Sequence, residues 1–511
     1  MAPGVEQASQ TRDDGQLPIQ LLDRADAVRQ ALAPQLAAKQ KSALGQFMTP
    51  APVARFMASL FPPANSSTCC LLDAGAGVGA LSCAFLDRLA SGEDFRFESV
   101  AVEAYEVDAS LRAHLESTLA GYATRLPLAS HVLAGDFIWE AARSSLKGSR
   151  PFTHAILNPP YKKINSASEH RLILRRLGIE TVNLYSAFVA LSLGLMKSGG
   201  QLVAIIPRSF CNGPYYRPFR EFLLSRAAIR HIHLFGSRNT AFKDDHVLQE
   251  NIIMRLERRG EQSSVTISTS TDETFSDMET HAHPFDRIVF PDDPERFIHV
   301  PTSLGRNAIE SSSAIRFSLN QIGVGVSTGP VVDFRLEEYI RQTPTAATVP
   351  LLYPGHFRRG GTQWPKDGMK RGNAIVLNAA TRRWLYPNGV YAVTRRFSAK
   401  EERRRVVATV VRPDAFPDAP MLGFENHLNV FHEDRRGLPE HLAYGLAAYL
   451  NTSAVDDHFR RFSGHTQVNA TDLRLIKYPS RTALIALGKW AHAQRQITQP
   501  MLDDKLTMLI G

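Results

Sequence analysis

A chain of 511 residues exceeds what one hydrophobic core usually organises, so two domains are expected, each able to bury a core of its own. With 44% hydrophobic and 21% charged residues and no apolar run of the roughly 18 residues needed to cross a bilayer, the composition is that of a soluble protein. The net charge of +9 and pI near 9.4 favour a polyanionic partner.

The first residues carry charges at Glu6, Arg12, Asp13 and Asp14 where an export signal would be basic and then apolar, so a cytoplasmic protein is expected. Apolar residues from Ile19 to Leu36 recur at helical spacing and give a helical arm over residues 1–41. Strand-like runs then alternate with amphipathic stretches: Cys69–Leu72, Ser99–Val107, His154–Leu157, Gln201–Ile206, His231–Phe235 and Asn251–Leu256. Strands separated by helices predict an α/β domain with a mostly parallel sheet over residues 42–295. Ligands on such a sheet gather beyond the carboxyl ends of its strands. The Ser- and Thr-rich passage Glu261–Met278 either ends this domain or forms a solvent-facing strand pair.

Residues 296–511 mix short strands, at Gly323–Ser327, Leu351–Gly355, Ala374–Leu377 and Gly389–Val393, with a helix over Pro439–Ser453, which reads as a mixed α+β domain. Between His356 and Arg412, fourteen Lys or Arg stand against three Asp or Glu. Such a stretch either neutralises phosphates or forms a solvated basic face. The four cysteines show no C-x-x-C spacing, so a reduced, metal-free protein is expected.

Two motifs carry chemistry. In Leu71-Leu-Asp-Ala-Gly-Ala-Gly-Val-Gly-Ala-Leu, Gly75, Gly77 and Gly79 follow a short apolar strand and precede a helix, where glycine lets the backbone turn sharply and approach a ligand. With Asp73 at the strand end the run reads D-x-G-x-G-x-G. It resembles the first motif of S-adenosylmethionine-dependent methyltransferases and implies a Rossmann-like domain whose loop wraps the cofactor's amino acid portion. In the next strand the resemblance points to Glu106, with Glu103 as the alternative, as the acid that accepts hydrogen bonds from the ribose hydroxyls. After the third run it gives Asp136 and Phe137 the cofactor's adenine. Upstream, Gly45-Gln-Phe-Met-Thr-Pro resembles the family's opening motif, with Thr49 and Pro50 near the methionine end.

The second motif is Ile156-Leu-Asn-Pro-Pro-Tyr, a strand ending in Asn158, Pro159, Pro160 and Tyr161. An adenine amine is a poor nucleophile because its lone pair is delocalised into the ring, so a catalyst needs acceptors for both amine hydrogens. Asn158 supplies one through its amide oxygen. The Pro159 carbonyl, held by proline's fixed φ, supplies the other. Tyr161 is expected to stack on one face of an extruded base, and Phe242, with Phe235 as competitor, on the other. The motif order resembles the gamma class of N6-adenine DNA methyltransferases from restriction-modification systems. That resemblance implies S-adenosylmethionine as cofactor, double-stranded DNA as substrate and a cognate restriction endonuclease acting on the same site.

Residues 296–511 then read as the target-recognition domain, with Arg395, Arg396, Arg403, Arg404 and Arg405 as phosphate contacts. Phe462-Ser-Gly-His-Thr-Gln-Val-Asn-Ala-Thr-Asp-Leu-Arg resembles the closing segment of such domains. The same tetrapeptide also occurs in enzymes that methylate glutamine in proteins or guanine in RNA, and a degenerate, purely DNA-binding fold is the remaining alternative.

Overall fold

The computed structural model describes residues 21–32, 48–92, 95–147, 151–236, 250–291, 293–301, 308–358, 361–369, 371–398, 402–462 and 467–510. Two compact units share the chain, residues 1–208 with 221–280 and residues 209–220 with 281–511. The division therefore falls ahead of the expected residue 295. Buried Arg220 gives the reason: its guanidinium donates to the carbonyls of Phe210, Gly213 and Glu295, at 2.8–2.9 Å. Ile298 N–H adds a bond to the Cys211 carbonyl, so 209–220 is stitched to the chain beyond 281.

In the first unit, apolar runs become central strands of a nine-stranded sheet. The strands are β1 (Ala64–Ala74), β2 (Phe95–Tyr105), β3 (Leu128–Leu133), β4 (Phe152–Leu157), β5 (Met196–Pro207), β6 (Ala227–Phe235), β7 (Asn251–Arg258), β8 (Val265–Ser270) and β9 (Glu279–His283). Their order is β3-β2-β1-β4-β5-β7-β6-β8-β9. Every residue of β4 is buried, as expected of a strand covered on both faces, and its two polar side chains, Thr153 and His154, pair with each other at 2.8 Å. The pairs β1–β2, β2–β3, β1–β4 and β4–β5 are parallel, whereas β7 runs antiparallel to both its neighbours. Glu261–Met278 is not a solvent-facing strand pair: its first part forms β8, which pairs in parallel with β6 and buries Val265 and Ile267, and the first unit ends just beyond the passage, at Thr280.

Helices pack on this sheet: α1 (Leu21–Leu32), α2 (Ala51–Ser59), α3 (Ala80–Ser91), α4 (Ala109–Ala123), α5 (Phe137–Lys147), α6 (Glu169–Arg176), α7 (Leu184–Leu195) and α8 (Arg217–Arg226). The amino-terminal arm is α1. It buries Leu22 and Ala25 in the core, and its Asp26 accepts a hydrogen bond from the Ala51 N–H at 3.2 Å. That bond satisfies an exposed donor of the first turn of α2, whose N-cap, Pro50, offers no side-chain acceptor.

The second unit contains a four-stranded antiparallel sheet of β10 (Gly325–Thr328), β17 (Tyr391–Arg395), β18 (Ala408–Val411) and β20 (Leu428–His432). A five-stranded mixed sheet holds β11 (Ile340–Arg341), β12 (Thr348–Leu352), β15 (Ala374–Val376), β16 (Leu385–Pro387) and β19 (Met421–Phe424), and β13 (Phe357–Arg358) pairs with β14 (Gly361–Thr362). Five helices follow: α9 (Glu440–Leu450), α10 (Ser453–Phe462), α11 (Ala470–Leu475), α12 (Arg481–Ala493) and α13 (Gln499–Ile510). Backbones of α9 and α12 touch, because a Cβ at Gly488 would lie 1.7 Å from the His441 carbonyl. Among the described residues no helix is long and apolar enough to cross a membrane.

Three imidazoles buried in the first unit make its stability depend on pH. Burial is the main force that lowers His154 and His231 from 6.5 to about 4, and His233 to about 3. The unfolded chain protonates these rings below 6.5 while the folded chain does not, so their contribution is full above that pH and is lost as pH falls towards the folded values. Each imidazole can remove up to about 1.4 kcal/mol per pH unit within this window. Asp73, raised from 3.8 to about 7 by burial, and Asp87, also raised by burial, act with the opposite sign, two groups against three. Exchange of β4 and β6 amides, corrected for intrinsic rate, is expected to be faster at about pH 5 than at about pH 7.5. Equal protection at the two values would contradict this.

Candidate active site

The strand order reverses at β1, which has β2 on one side and β4 on the other. The loops that follow β1 and β4 therefore open side by side, the position at which open α/β sheets bind ligands. The glycine loop after β1 lines a cavity together with Glu106, Asp136, Phe137 and Asn158.

Gly75, Gly77 and Gly79 take φ values of 83°, 58° and 90°, a region costly for any residue with a Cβ. At Gly79 a Cβ would also stand 2.6 Å from Leu115 Cδ1. The loop is tied to the end of β2, for the N–H groups of Gly75 and Ala76 both donate to the Tyr105 carbonyl at 2.9 Å. Glu106, 2% exposed, completes the tie: its Oε2 accepts from Gly77 N–H at 2.9 Å and its Oε1 from Asp108 N–H at 2.8 Å. Glu103 instead accepts the Tyr105 hydroxyl at 2.5 Å and is not among the residues that line the cavity.

Asp73 departs from its expected place. It is fully buried behind the loop, outside the cavity lining, and its Oδ2 accepts the Ser82 hydroxyl at 2.6 Å. Its Oδ1 has no partner, and burial raises its carboxyl to about 7. Its position is that of a support for the start of α3. Gly79 and Pro50 likewise lie outside the lining and act through backbone shape. At the far end, Asp136 Oδ1 accepts from Ile138 N–H at 2.8 Å, while the Phe137 ring, buried against Tyr105 and Phe188, forms part of the wall.

Asn158 stands at the carboxyl end of β4, in the cavity wall with Pro160. Its Nδ2 donates to Thr49 Oγ1 at 3.0 Å, and its Oδ1 accepts the Tyr161 hydroxyl at 3.2 Å. These two contacts hold the amide between two hydroxyls, each of which can donate or accept. The Tyr161 hydroxyl also lies 3.3 Å from the Ile205 carbonyl, and burial raises its pKa above the usual phenol range. Tyr161 and buried Pro159 are not among the lining residues.

A loop of backbone amides beside a buried carboxylate and a side-chain amide can hold a polar organic molecule. Residues 128–242 match the family model described as Eco57I restriction-modification methylase. Type II methyltransferase M.BsuBI of Bacillus subtilis is 50% identical over 499 residues, which span 96% of this chain and 98% of the relative. Type II methyltransferase M.PstI of Providencia stuartii is 40% identical over 478 residues, 92% of this chain and 93% of its own. The chain belongs to the type II methyltransferases of restriction-modification systems. Among solved structures, that of the DrdV–DNA complex aligns with 92% of this methyltransferase and 59% of its own chain, with a TM-score of 0.51 and 12% identity, a likeness of fold.

In this methyltransferase the expected basic contacts separate. Arg405 is 1% exposed, donates to Ser398 Oγ at 3.1 Å and stacks on Phe459, so it cannot reach a phosphate. Consecutive side chains point different ways, and only Arg403 of the triplet is exposed. Arg404 donates to the Thr452 carbonyl and to Gln499. Arg395 pairs with Glu402 at 2.8 Å, and Arg396 donates to the Asn426 carbonyl at 3.2 Å. Phe242 lies outside the described residues, while its competitor Phe235 is a buried core residue. Among the described residues no group of three or more His, Cys, Asp or Glu could hold a metal.

The cavity also takes in residues that the motifs did not single out, namely Met48, Tyr105, His170, Leu184 and Phe188. Leu184 and Phe188 are one helical turn apart on α7, a spacing that ordinary core packing also produces. His170 carried no signal at all.

Proposed function

We propose that this methyltransferase carries a methyl group from S-adenosylmethionine to the exocyclic N6 of an adenine extruded from duplex DNA, marking a site that a cognate restriction endonuclease reads. The observation that carries the reading is the Asn158 amide, set in the cavity wall at the end of β4 and held between the Thr49 and Tyr161 hydroxyls.

The cavity suits the cofactor chemically. Glu106 is a carboxylate acceptor in the cavity wall, fixed by the Gly77 and Asp108 N–H groups, and its chemistry suits a ribose diol. Asp136 offers an acceptor to an adenine amine, and Phe137 an apolar wall. The open side of the glycine loop, where a Cβ on Gly75 would meet Phe188 and the Asn158 carbonyl only at 3.8 and 4.0 Å, leaves space for the methionine portion. When bound, the sulfonium supplies an electrophilic methyl group.

The chain's own part is to hold the amine. One amine hydrogen is accepted by Asn158 Oδ1 and the other by the Pro159 carbonyl. Two fixed acceptors favour a pyramidal nitrogen, whose lone pair then points at the methyl group. The proton becomes acidic only after transfer, so no general base is needed beforehand. Tyr161 and Phe242 supply flat surfaces that offset the few kcal/mol lost on unstacking the base. The basic second unit, through Arg403 and neighbouring cations, supplies phosphate contacts.

Duplex DNA incubated with the protein and cofactor tritiated at the methyl group is the test. Label is expected in N6-methyladenine after digestion. Label only in cytosine, in RNA or in protein would overturn the reading.

A further inference from the structure

After Tyr161 the chain makes an excursion that closes on itself. Lys163 and Asn183 form an antiparallel bridge, Ile164 N–H donates to the Val182 carbonyl at 2.8 Å, and Leu184 N–H donates to the Lys162 carbonyl at 2.8 Å. Within it, α6 is capped by Ser168, which accepts from Arg171 N–H, and is braced by Glu180, which pairs with Arg171 and with Arg175. This framing puts His170 in the cavity wall beside Asp136, with Nε2 3.1 Å from Asp136 Oδ2. Because a carboxylate only accepts, the imidazole nitrogen facing it carries the proton and donates.

We infer that His170 is a positioning residue for the cofactor's purine, fixing Asp136 Oδ2 as the acceptor for an exocyclic amine and closing that end of the cavity with α6. The inference rests on the role given to Asp136 above. Asp136 is 42% exposed in its side chain, so without partners it would rotate and hydrate freely. Ile138 N–H holds one oxygen and His170 the other, so the carboxylate is fixed in the cavity wall as an acceptor. An amine at the purine 6-position satisfies that acceptor, whereas a 6-oxo group sets acceptor against acceptor and is rejected. The foot of the same excursion, at Lys162 and Leu184, adjoins the catalytic tetrapeptide, so a ligand that engages His170 also braces the loop bearing Asn158.

The test compares binding of S-adenosylhomocysteine and S-inosylhomocysteine to the full chain by calorimetry. His170→Ala is expected to weaken the adenine ligand about tenfold, the loss typical of one hydrogen bond to a charged group, and to leave the inosine ligand unchanged. His170→Gln, which retains an N–H donor, is expected to restore most of the preference. Unchanged preference in His170→Ala, or equal weakening of both ligands, overturns the inference. An Asp136→Ala control separates the two levels: if it erases the preference while His170→Ala does not, only the role of His170 fails. If Asp136→Ala keeps the preference, the reading of Asp136 fails as well.

Discussion

Asn158→Ala is expected to slow methyl transfer by about a thousandfold, the cost of losing one preorganised hydrogen bond at a developing charge, while cofactor affinity stays within about twofold. The deletion removes the amide's contacts with two hydroxyls, each able to donate or accept. The Tyr161 hydroxyl keeps the Ile205 carbonyl at 3.3 Å, and Thr49 Oγ1 loses a donor but is itself a rotatable donor. Thermal stability should therefore change by no more than about 1 kcal/mol. Single-turnover kinetics with saturating cofactor isolate the chemical step from product release. Turnover within a few fold of the parent would remove Asn158 from the reaction and, with it, the nucleobase clamp. A matching drop in cofactor affinity would instead make it a cofactor residue.

What the sequence disclosed and what it concealed follow from how local each feature is. The glycine loop and the Asn-Pro-Pro-Tyr turn are legible because each is a contiguous run whose residue types serve one backbone shape. The apolar residues Ala155, Ile156 and Leu157 at the end of β4 declare a covered strand. His170 is invisible because it meets Asp136 across 34 positions, through an excursion whose closure depends on a bridge between Lys163 and Asn183. Asp73 misleads for a related reason: the loop motif places it at a strand end, but the turn of the backbone at Gly75 carries the chain past it, and its carboxyl points to Ser82. Arg405 misleads because charge density along the chain says nothing about direction. A guanidinium can be buried where a hydroxyl and an aromatic face receive it, as Ser398 and Phe459 do. The division into units is illegible because it depends on one distant residue, Arg220, whose carbonyl partners lie on both sides of the first unit's last strands in the chain.

The choice between Glu103 and Glu106 yields the second large effect. Glu106→Gln is expected to raise the dissociation constant for S-adenosylmethionine about a hundredfold, the scale of two weakened charge-assisted bonds. A carboxylate accepts with both oxygens, so Glu106 can serve Gly77 N–H and Asp108 N–H at once. Glutamine has one acceptor, and its amide nitrogen would oppose a backbone N–H, so either the glycine loop or the start of α4 loses its tether before any ligand arrives. The effect should therefore appear twice, as weaker binding and as a ligand-free melting temperature lowered by several degrees. Glu103→Gln is the matched control. It keeps an oxygen for the Tyr105 hydroxyl and lies away from the cavity lining, so cofactor affinity should hold within about twofold. The opposite pattern, with Glu103→Gln impaired and Glu106→Gln intact, would transfer the ribose contact to Glu103 and leave Glu106 as a brace for the loop alone.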